Sequence, residues 1–153
     1  MTPTKRFMKN LKVFSPTLLR IGMAGIFIWF GMSQISDPNS WIGFVPQSIM
    51  DITHLDVTVI VYLNGAFEII AGSALFLGLF TRTVALLLAL HMLDITFVVG
   101  LDAIGMRDLG LSVATVVVWM NGMDWFSLDR FIRGIDVLAP PVKPFVPQTE
   151  SRV

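Results

Sequence analysis

The sequence predicts an all-α integral membrane protein: a four-helix bundle with a short interfacial segment and a cytoplasmic amphipathic helix. Hydrophobic residues make up 54% of the chain and charged residues only 14%, whereas soluble domains carry about 25% charged residues. The apolar residues fall into four long runs separated by short polar breaks. Roughly 20 helical residues span a hydrocarbon core about 30 Å thick, so these runs are long enough to cross a membrane.

The four runs predict four membrane-spanning helices, which together form one bundle over residues 16–123. The first helix is expected to start at Ser15 and Pro16, because proline is favoured in the first turn of a helix. The expected spans are residues 16–36, 57–80, 84–100 and 108–123.

The segments outside the spans have three different characters. Residues 1–15 form a basic N-terminus, and residues 139–153 form a proline-rich tail that is expected to be extended. Residues 124–138 have apolar residues near helical spacing with arginines between them, which is typical of a helix on a membrane surface. Residues 41–50, WIGFVPQSIM, are too short to cross and are expected to cover the outer end of the bundle, either in the interface or packed on the helix ends.

The lysines and arginines predict the orientation of the chain. Ten of the 11 lie before or at the start of the first span, between the second and third spans, or after the fourth, and only Arg107 lies on the other side. By the positive-inside rule both termini are cytoplasmic and the chain is a multi-pass protein of the plasma membrane. The basic start resembles a signal peptide, but no small-residue cleavage pattern follows it, so a retained span is expected.

Glu68 is the one carboxylate within the second apolar run. A charged side chain near the midplane of a bilayer costs about 3 kcal/mol. Its neighbours on the same helical face are small or polar: Asn64, Gly65, Ala71 and Gly72. Small residues mark faces where another helix approaches closely, so Glu68 is expected to point into the bundle. It then either belongs to a ligand or proton site or only fixes the packing of the helices.

Further polar residues are expected to share the interior of the bundle with Glu68. His91 and Asp94 lie on one helical face at about its depth, and Arg107 and Asp108 enter from the outer side. Because Arg107 is the only cation there, it cannot neutralise every carboxylate; it is expected to form at least a structural pair with Asp108. The candidates for a ligand or proton site are Gln34, Asn64, Glu68, His91, Asp94, Arg107 and Asp108.

Composition also excludes several classes of function. The chain has no cysteine, which excludes disulfides, thiolate metal sites and dithiol redox chemistry. The formal net charge is zero and no nucleic-acid motif is present, so no nucleic-acid partner is expected. Glu68, His91 and Asp94 make too few ligands for a bundle metal site, so no metal and no intrinsic cofactor are expected.

Several motifs together resemble those of the DoxX family of four-span membrane proteins. They are Arg20, the WFGMSQI stretch before Asp37-Pro38, the Asn64/Glu68 pair with Gly72, the LGLFTR block at 77–82 and the WFSLD block at 125–129. The resemblance implies a four-helix bundle in the cytoplasmic membrane. It also implies kinship with the DoxD-type membrane subunit of thiosulfate:quinone oxidoreductase. Members often carry lysine where this chain has Gln34, which argues against an anionic substrate.

Two functions follow from these observations. The chain is either a quinone-linked subunit of a membrane oxidoreductase with a buried carboxylate site, or a non-catalytic membrane scaffold or assembly protein. Membrane lipids are the expected surroundings, with a partner subunit or a second copy as protein contacts. A small transporter is a third alternative, but discontinuous helices and paired halves are missing from the sequence.

Overall fold

The computed structural model describes residues 3–132, with side chains from residue 11 onward, and all its regular elements are helical. Four of the helices are long and apolar enough to cross a membrane, the first of them from Leu11 onward, so the predicted helical membrane fold is confirmed. Two short 3-10 turns, Pro38–Ser40 and Ile42–Phe44, follow the first helix. The α-helices are α1 Pro3–Ser36, α2 Gln47–Thr53, α3 Val57–Leu77, α4 Thr81–Val99, α5 Ala103–Asn121 and α6 Leu128–Ile132.

The bundle consists of two closely packed helix pairs. Helix α1 packs along α3, and α4 packs along α5; contacts of α1 with α5 and of α3 with α4 join the pairs. The short α3–α4 connection at residues 78–80 and α6 lie at one end of the bundle, which we call the turn end. The connections at residues 37–56 and 100–102 lie at the other, which we call the loop end.

An apolar core joins the four long helices. Phe27 of α1, Leu75 of α3, Leu88 of α4 and Val118 of α5 are all almost completely buried. Large apolar side chains are exposed on the opposite faces of the same helices, among them Leu18, Trp29, Ile70 and Phe97. Such faces are stable in contact with lipid but not with water, which agrees with a membrane location.

Glycines set the close approach of α1 to α3. A Cβ atom built on Gly31 would lie 2.5 Å from the carbonyl oxygen of Gly65, and one built on Gly65 would lie 2.9 Å from that of Gly31. No larger residue fits at either position without displacing the backbone. The predicted close contact on the face of Glu68 is therefore present, and its partner is α1.

The first helix begins at Pro3, not at the Ser15–Pro16 pair, so the expectation that this pair caps the helix is wrong. Pro16 has no N–H to donate to the carbonyl oxygen of Lys12, one turn earlier. The Ser15 hydroxyl donates to that oxygen instead, at 3.3 Å. Because the freed acceptor is satisfied locally, the helix continues through the proline.

The fourth span starts five residues earlier than residue 108, the expected position. Asp102 precedes Ala103, and its carboxylate accepts hydrogen bonds from the backbone N–H groups of Ile104 and Gly105. This N-cap starts α5 ahead of the charged Arg107 and Asp108, which therefore lie within the helix.

The predicted surface helix at 124–138 is helical in the described residues only at Leu128–Ile132. Residues 124–127 form a turn in which Asp124 and Ser127 are buried. The rest of that predicted helix, residues 133–138, and the proline-rich tail at 139–153 lie outside the described residues.

Candidate functional site

All seven candidate residues line a single cavity at the loop end. It has a volume of about 270 Å³, and its walls come from α1, α3, α4, α5 and the segment at 37–56. Apolar side chains complete the lining, among them Phe30, Ile60, Val61, Met92, Ile95, Val98, Val99 and Ile104. The cavity therefore combines one polar cluster with largely apolar walls.

Glu68 lies at the centre of the polar cluster and is 1% exposed. Gln34 Nε2 donates to Glu68 Oε2 at 2.9 Å. Asn64 Nδ2 lies 2.8 Å from Gln34 Oε1 and 3.3 Å from Glu68 Oε1, and donates to both. The two amides thus link α1 to α3 and hold the carboxylate in one orientation.

The glycine contact between the helices explains why these side chains meet. Gln34 lies three residues after Gly31 on α1, and Glu68 lies three residues after Gly65 on α3. Residues three apart share a helical face. Because the two backbones touch at the glycines, the adjacent polar side chains come within hydrogen-bond distance.

His91 brings α4 into the cluster. Its Nε2 lies 3.2 Å from Glu68 Oε1, and its ring packs edge-on against Phe67 with 5.0 Å between the ring centroids. The imidazole is partly exposed, whereas the carboxylate is not. His91 is therefore the more accessible member of this pair.

Arg107 and Asp108 form the second ion pair of the lining. Arg107 Nε donates to Asp108 Oδ1 at 2.8 Å, and the Asp108 side chain is 3% exposed. The guanidinium carbon lies 5.0 Å from the centroid of the Phe30 ring, a favourable cation–π distance. The expected structural pairing of these two residues is present, and both also face the cavity.

Asp94 is exposed, as Arg107 is, whereas the other five candidates are buried or partly buried. It lines the cavity but accepts no hydrogen bond from the described residues. It therefore lies in the cavity wall without joining the Glu68 cluster, although the sequence placed it in the bundle interior with His91. His91 and Asp94 do share a helical face that lines the cavity. Which part of that face is covered depends on how the neighbouring helices pack against α4.

The segment at 37–56 forms a further wall of the cavity, which it lines with Trp41, Phe44, Val45, Pro46 and Ile49. Trp41 attaches the segment to α1: its Nε1 donates to Ser33 Oγ at 3.3 Å, and its ring meets Phe30 edge-on. The sequence indicated a cover over this end of the bundle, but it did not identify these residues as part of a site.

A second buried polar cluster lies at the turn end, and the sequence analysis did not predict its contacts. Arg20 of α1 is 1% exposed, and its Nε donates to Asp124 Oδ2 at 2.7 Å. The guanidinium also donates to the backbone carbonyls of Leu75, Phe76 and Phe126. The sequence contains one signal of this cluster. Arg20 is a cation within an apolar span and has no carboxylate near it in sequence, so it needs a partner from elsewhere in the chain.

Asp129 joins the same end of the bundle to α4. Its carboxylate accepts hydrogen bonds from the backbone N–H groups of Phe80 and Thr81 and from the Thr81 hydroxyl. Ser127 Oγ donates to the carbonyl of Gly78, whose φ of +71° favours glycine. The blocks at 77–82 and 125–129 thus bind one another and start α4.

The polar clusters do not form a recognisable metal centre. Within residues 3–132, no group of three or more His, Cys, Asp or Glu side chains converges as metal ligands do. The loop-end cluster offers instead a fixed carboxylate, an imidazole and a guanidinium; all three can form hydrogen bonds, and the first two can also exchange protons.

Comparison with known proteins identifies the family. The DoxX family model matches residues 15–101, more than half of the 153 residues. The match includes Gln34, Asn64, Glu68, His91 and Asp94 and ends before Arg107 and Asp108. Comparisons with curated proteins and with solved structures found no match. The match over most of the four-helix bundle and the helical membrane architecture agree: the chain belongs to the DoxX family.

Proposed function

We propose that the loop-end cavity binds the headgroup of a membrane quinone and that the chain is the quinone-linked subunit of a membrane oxidoreductase. The observation that carries this proposal is the convergence of all seven polar candidates on one cavity with apolar walls. Ligand sites are typically apolar pockets with a few convergent polar groups. A ring with two carbonyl oxygens and an apolar tail matches this distribution.

The residues fit such a headgroup in size and in chemistry. The volume of about 270 Å³ is close to the lower end of the range for small-molecule sites, roughly 300 Å³, so it suits a ring without its tail. Arg107 keeps terminal guanidinium N–H groups beyond its Nε bond to Asp108, and His91 keeps its Nδ1 free of Glu68. Arg107 can donate to a carbonyl oxygen, and His91 can do so from Nδ1 when its ring is protonated.

Glu68 has a different role in this proposal. Its carboxylate contacts His91, and His91 in turn faces the space for the headgroup. The pair can therefore pass protons to or from a bound ring. Gln34 and Asn64 hold the carboxylate still while this happens. The chain has no cysteine, so no dithiol of its own can reduce the ring, and in this proposal a partner subunit of the oxidoreductase supplies the electrons.

A scaffold or assembly protein is the second candidate, and one observation favours it. Both oxygens of Glu68 accept hydrogen bonds from protein groups, as expected of a carboxylate that only fixes helix packing. In that case the cavity would be a packing defect filled by lipid chains.

Mass spectrometry of the protein extracted in native lipid particles tests the two candidates. The wild type should retain a quinone, and Glu68→Gln should lose it while the particles stay intact. Asp51→Asn is the matched control, because it removes a carboxylate from the same end of the bundle on an exposed residue outside the cavity lining. Equal quinone in all three samples, or partner chains without quinone, would favour the scaffold.

We also propose that the loop end faces away from the cytoplasm, in the plasma membrane. Among residues whose side chains are described, Lys12, Arg20, Arg82 and Arg130 lie toward the turn end and Arg107 alone at the loop end, in the pattern of the positive-inside rule. Because the chain has no cysteine, single substitutions report sidedness directly. In intact cells a membrane-impermeant maleimide should label Ser40→Cys and leave Thr83→Cys unlabelled; the reverse pattern would invert the orientation.

A further inference from the structure

The charges in the lining of the loop-end cavity do not balance. Three carboxylates, Glu68, Asp94 and Asp108, share the lining with one arginine, Arg107, and one histidine, His91. With the carboxylates ionised, the lining carries an excess of two negative charges when His91 is neutral and of one when it is protonated. The excess therefore holds for either state of the histidine.

The individual contacts locate this excess. Asp108 is neutralised by Arg107 at 2.8 Å. Glu68 accepts hydrogen bonds from Gln34 and Asn64, which carry no charge, and His91, whose Nε2 lies 3.2 Å away, offsets its charge only when the ring is protonated. Asp94 has no partner among the described residues. The negative charge that a ligand meets therefore comes from Glu68 and Asp94.

The surroundings of the cavity act in the same direction. Phe30, Trp41 and Phe44 line it, and the faces of aromatic rings attract cations and not anions. The rest of the loop end adds exposed carboxylates: Asp37, Asp51, Asp56 and Asp102. Arg107 is the only lysine or arginine of the described residues at that end. A field of one sign at the mouth of a cleft concentrates ligands of the opposite sign.

We propose that the cavity selects its ligand by charge: it accepts a neutral or cationic headgroup and excludes anions. The inference rests on the proposed function only in taking the cavity as a ligand site. An anionic substrate of the same oxidoreductase would then have to bind outside this cavity.

Two small probes of similar shape and opposite charge test this selectivity. Benzyltrimethylammonium and benzenesulfonate each carry one aromatic ring and one charge, and a short-chain benzoquinone serves as the neutral ligand. Binding is measured by calorimetry to the full chain in discs of zwitterionic lipid, with empty discs subtracted. We expect the cation to bind at least about tenfold more tightly than the anion, because a carboxylate nearby in a medium of low dielectric contributes an effect of this order.

Two variants distinguish the effect of a carboxylate in the cavity lining from that of a carboxylate elsewhere at the loop end. Asp94→Asn should reduce the preference for the cation several-fold, and because Asp94 is exposed and unpartnered the fold should tolerate the change. Asp51→Asn removes the same charge outside the lining, where solvent screens it, and should reduce the preference clearly less than Asp94→Asn does. Equal affinity for the two ions, or an equal effect of the two variants, would overturn the proposal.

The neutral ligand distinguishes this inference from the proposed function. If the quinone binds and the two ions are not discriminated, charge selection is wrong and the quinone site stands. If the ions are discriminated and the quinone does not bind, the cavity selects by charge but serves another ligand. If none of the three probes binds, both proposals are wrong.

Discussion

Each end of the bundle buries one charged side chain almost completely, and the two side chains have different surroundings. At the turn end Arg20 is 1% exposed and is surrounded by a carboxylate and three backbone carbonyls. At the loop end Glu68 is also 1% exposed, but its hydrogen-bond partners are two neutral amides and a histidine, and it faces a cavity. Arg20 is paired with a carboxylate inside the protein, whereas Glu68 has only neutral amides and a histidine as partners and lies next to space for a ligand.

This difference separates a structural cluster from a candidate functional one. A buried charge that is fully paired holds helices together and has no remaining capacity for a ligand. A buried charge beside a cavity is expected at sites that bind or transfer protons, because charged residues in membranes are rarely retained without a use. The same family motifs therefore divide between two tasks: the blocks at 77–82 and 125–129 close the turn end, and Gln34, Asn64 and Glu68 build the cavity.

The largest expected effect is on the turn end. Arg20→Met keeps an unbranched aliphatic side chain but removes the guanidinium. Asp124 is then buried without its cation, which lowers the free energy of unfolding by about 3 to 5 kcal/mol. Chemical unfolding in lipid discs measures this loss. Lys12→Met, on the exposed surface of the same helix, should change stability by less than about 0.5 kcal/mol. An Arg20→Met variant as stable as that control would refute the structural role.

The next effect is on the helix contact that positions the loop-end cluster. Gly65→Ala places a Cβ atom 2.9 Å from the carbonyl oxygen of Gly31 and 3.1 Å from Gln34 Cβ. Overpacking of this kind costs about 1 to 3 kcal/mol. Gly25→Ala on α1 is the matched control, since its Cβ meets nothing within 4 Å; it should be neutral or slightly stabilising. Similar unfolding curves for the two variants would contradict the close contact.

A smaller effect on stability is expected for Glu68→Gln, although it should abolish ligand binding. The shape is kept, and rotation of the Gln34 amide restores most hydrogen bonds, so the cost is about 1 kcal/mol. Unfolding in the same discs measures it beside Arg20→Met. A loss as large as that of Arg20→Met would show that Glu68 is a packing residue and would remove the contrast between the two ends.

The smallest effect is on the wall formed by residues 37–56. Trp41→Phe removes the hydrogen bond to Ser33 and keeps an aromatic ring against Phe30, at a cost of about 0.5 kcal/mol in local stability. Amide hydrogen exchange in residues 42–53 should then accelerate about twofold. Ser33→Ala removes the same bond from the other side and should give the same acceleration. Unchanged exchange in both variants would mean that this bond does not hold the segment.

The sequence predicted the loop-end cluster better than the turn-end cluster. Glu68 stood out because a carboxylate in an apolar run is costly, and its small neighbours indicated the face that packs. By contrast, Arg20 and Asp124 are 104 positions apart, so no local pattern links them. The start of α1 was also missed, because a proline normally marks a first turn, whereas here the helix continues through Pro16 and the Ser15 hydroxyl donates to the carbonyl oxygen of Lys12.

The sequence alone determined the four spans, the polar face of α3 and the identity of the candidate residues, since hydropathy and helical periodicity depend only on neighbouring positions. The tertiary structure alone decided which residues meet across helices: Gly31 with Gly65, Arg20 with Asp124, and the segment at 37–56 with the cavity. It also decided that Asp94 is exposed and Glu68 is not, although each lies on a polar helical face. The physical reason is that the register of one helix against another depends on backbone contacts between residues distant in sequence, and this register determines where space for a ligand remains.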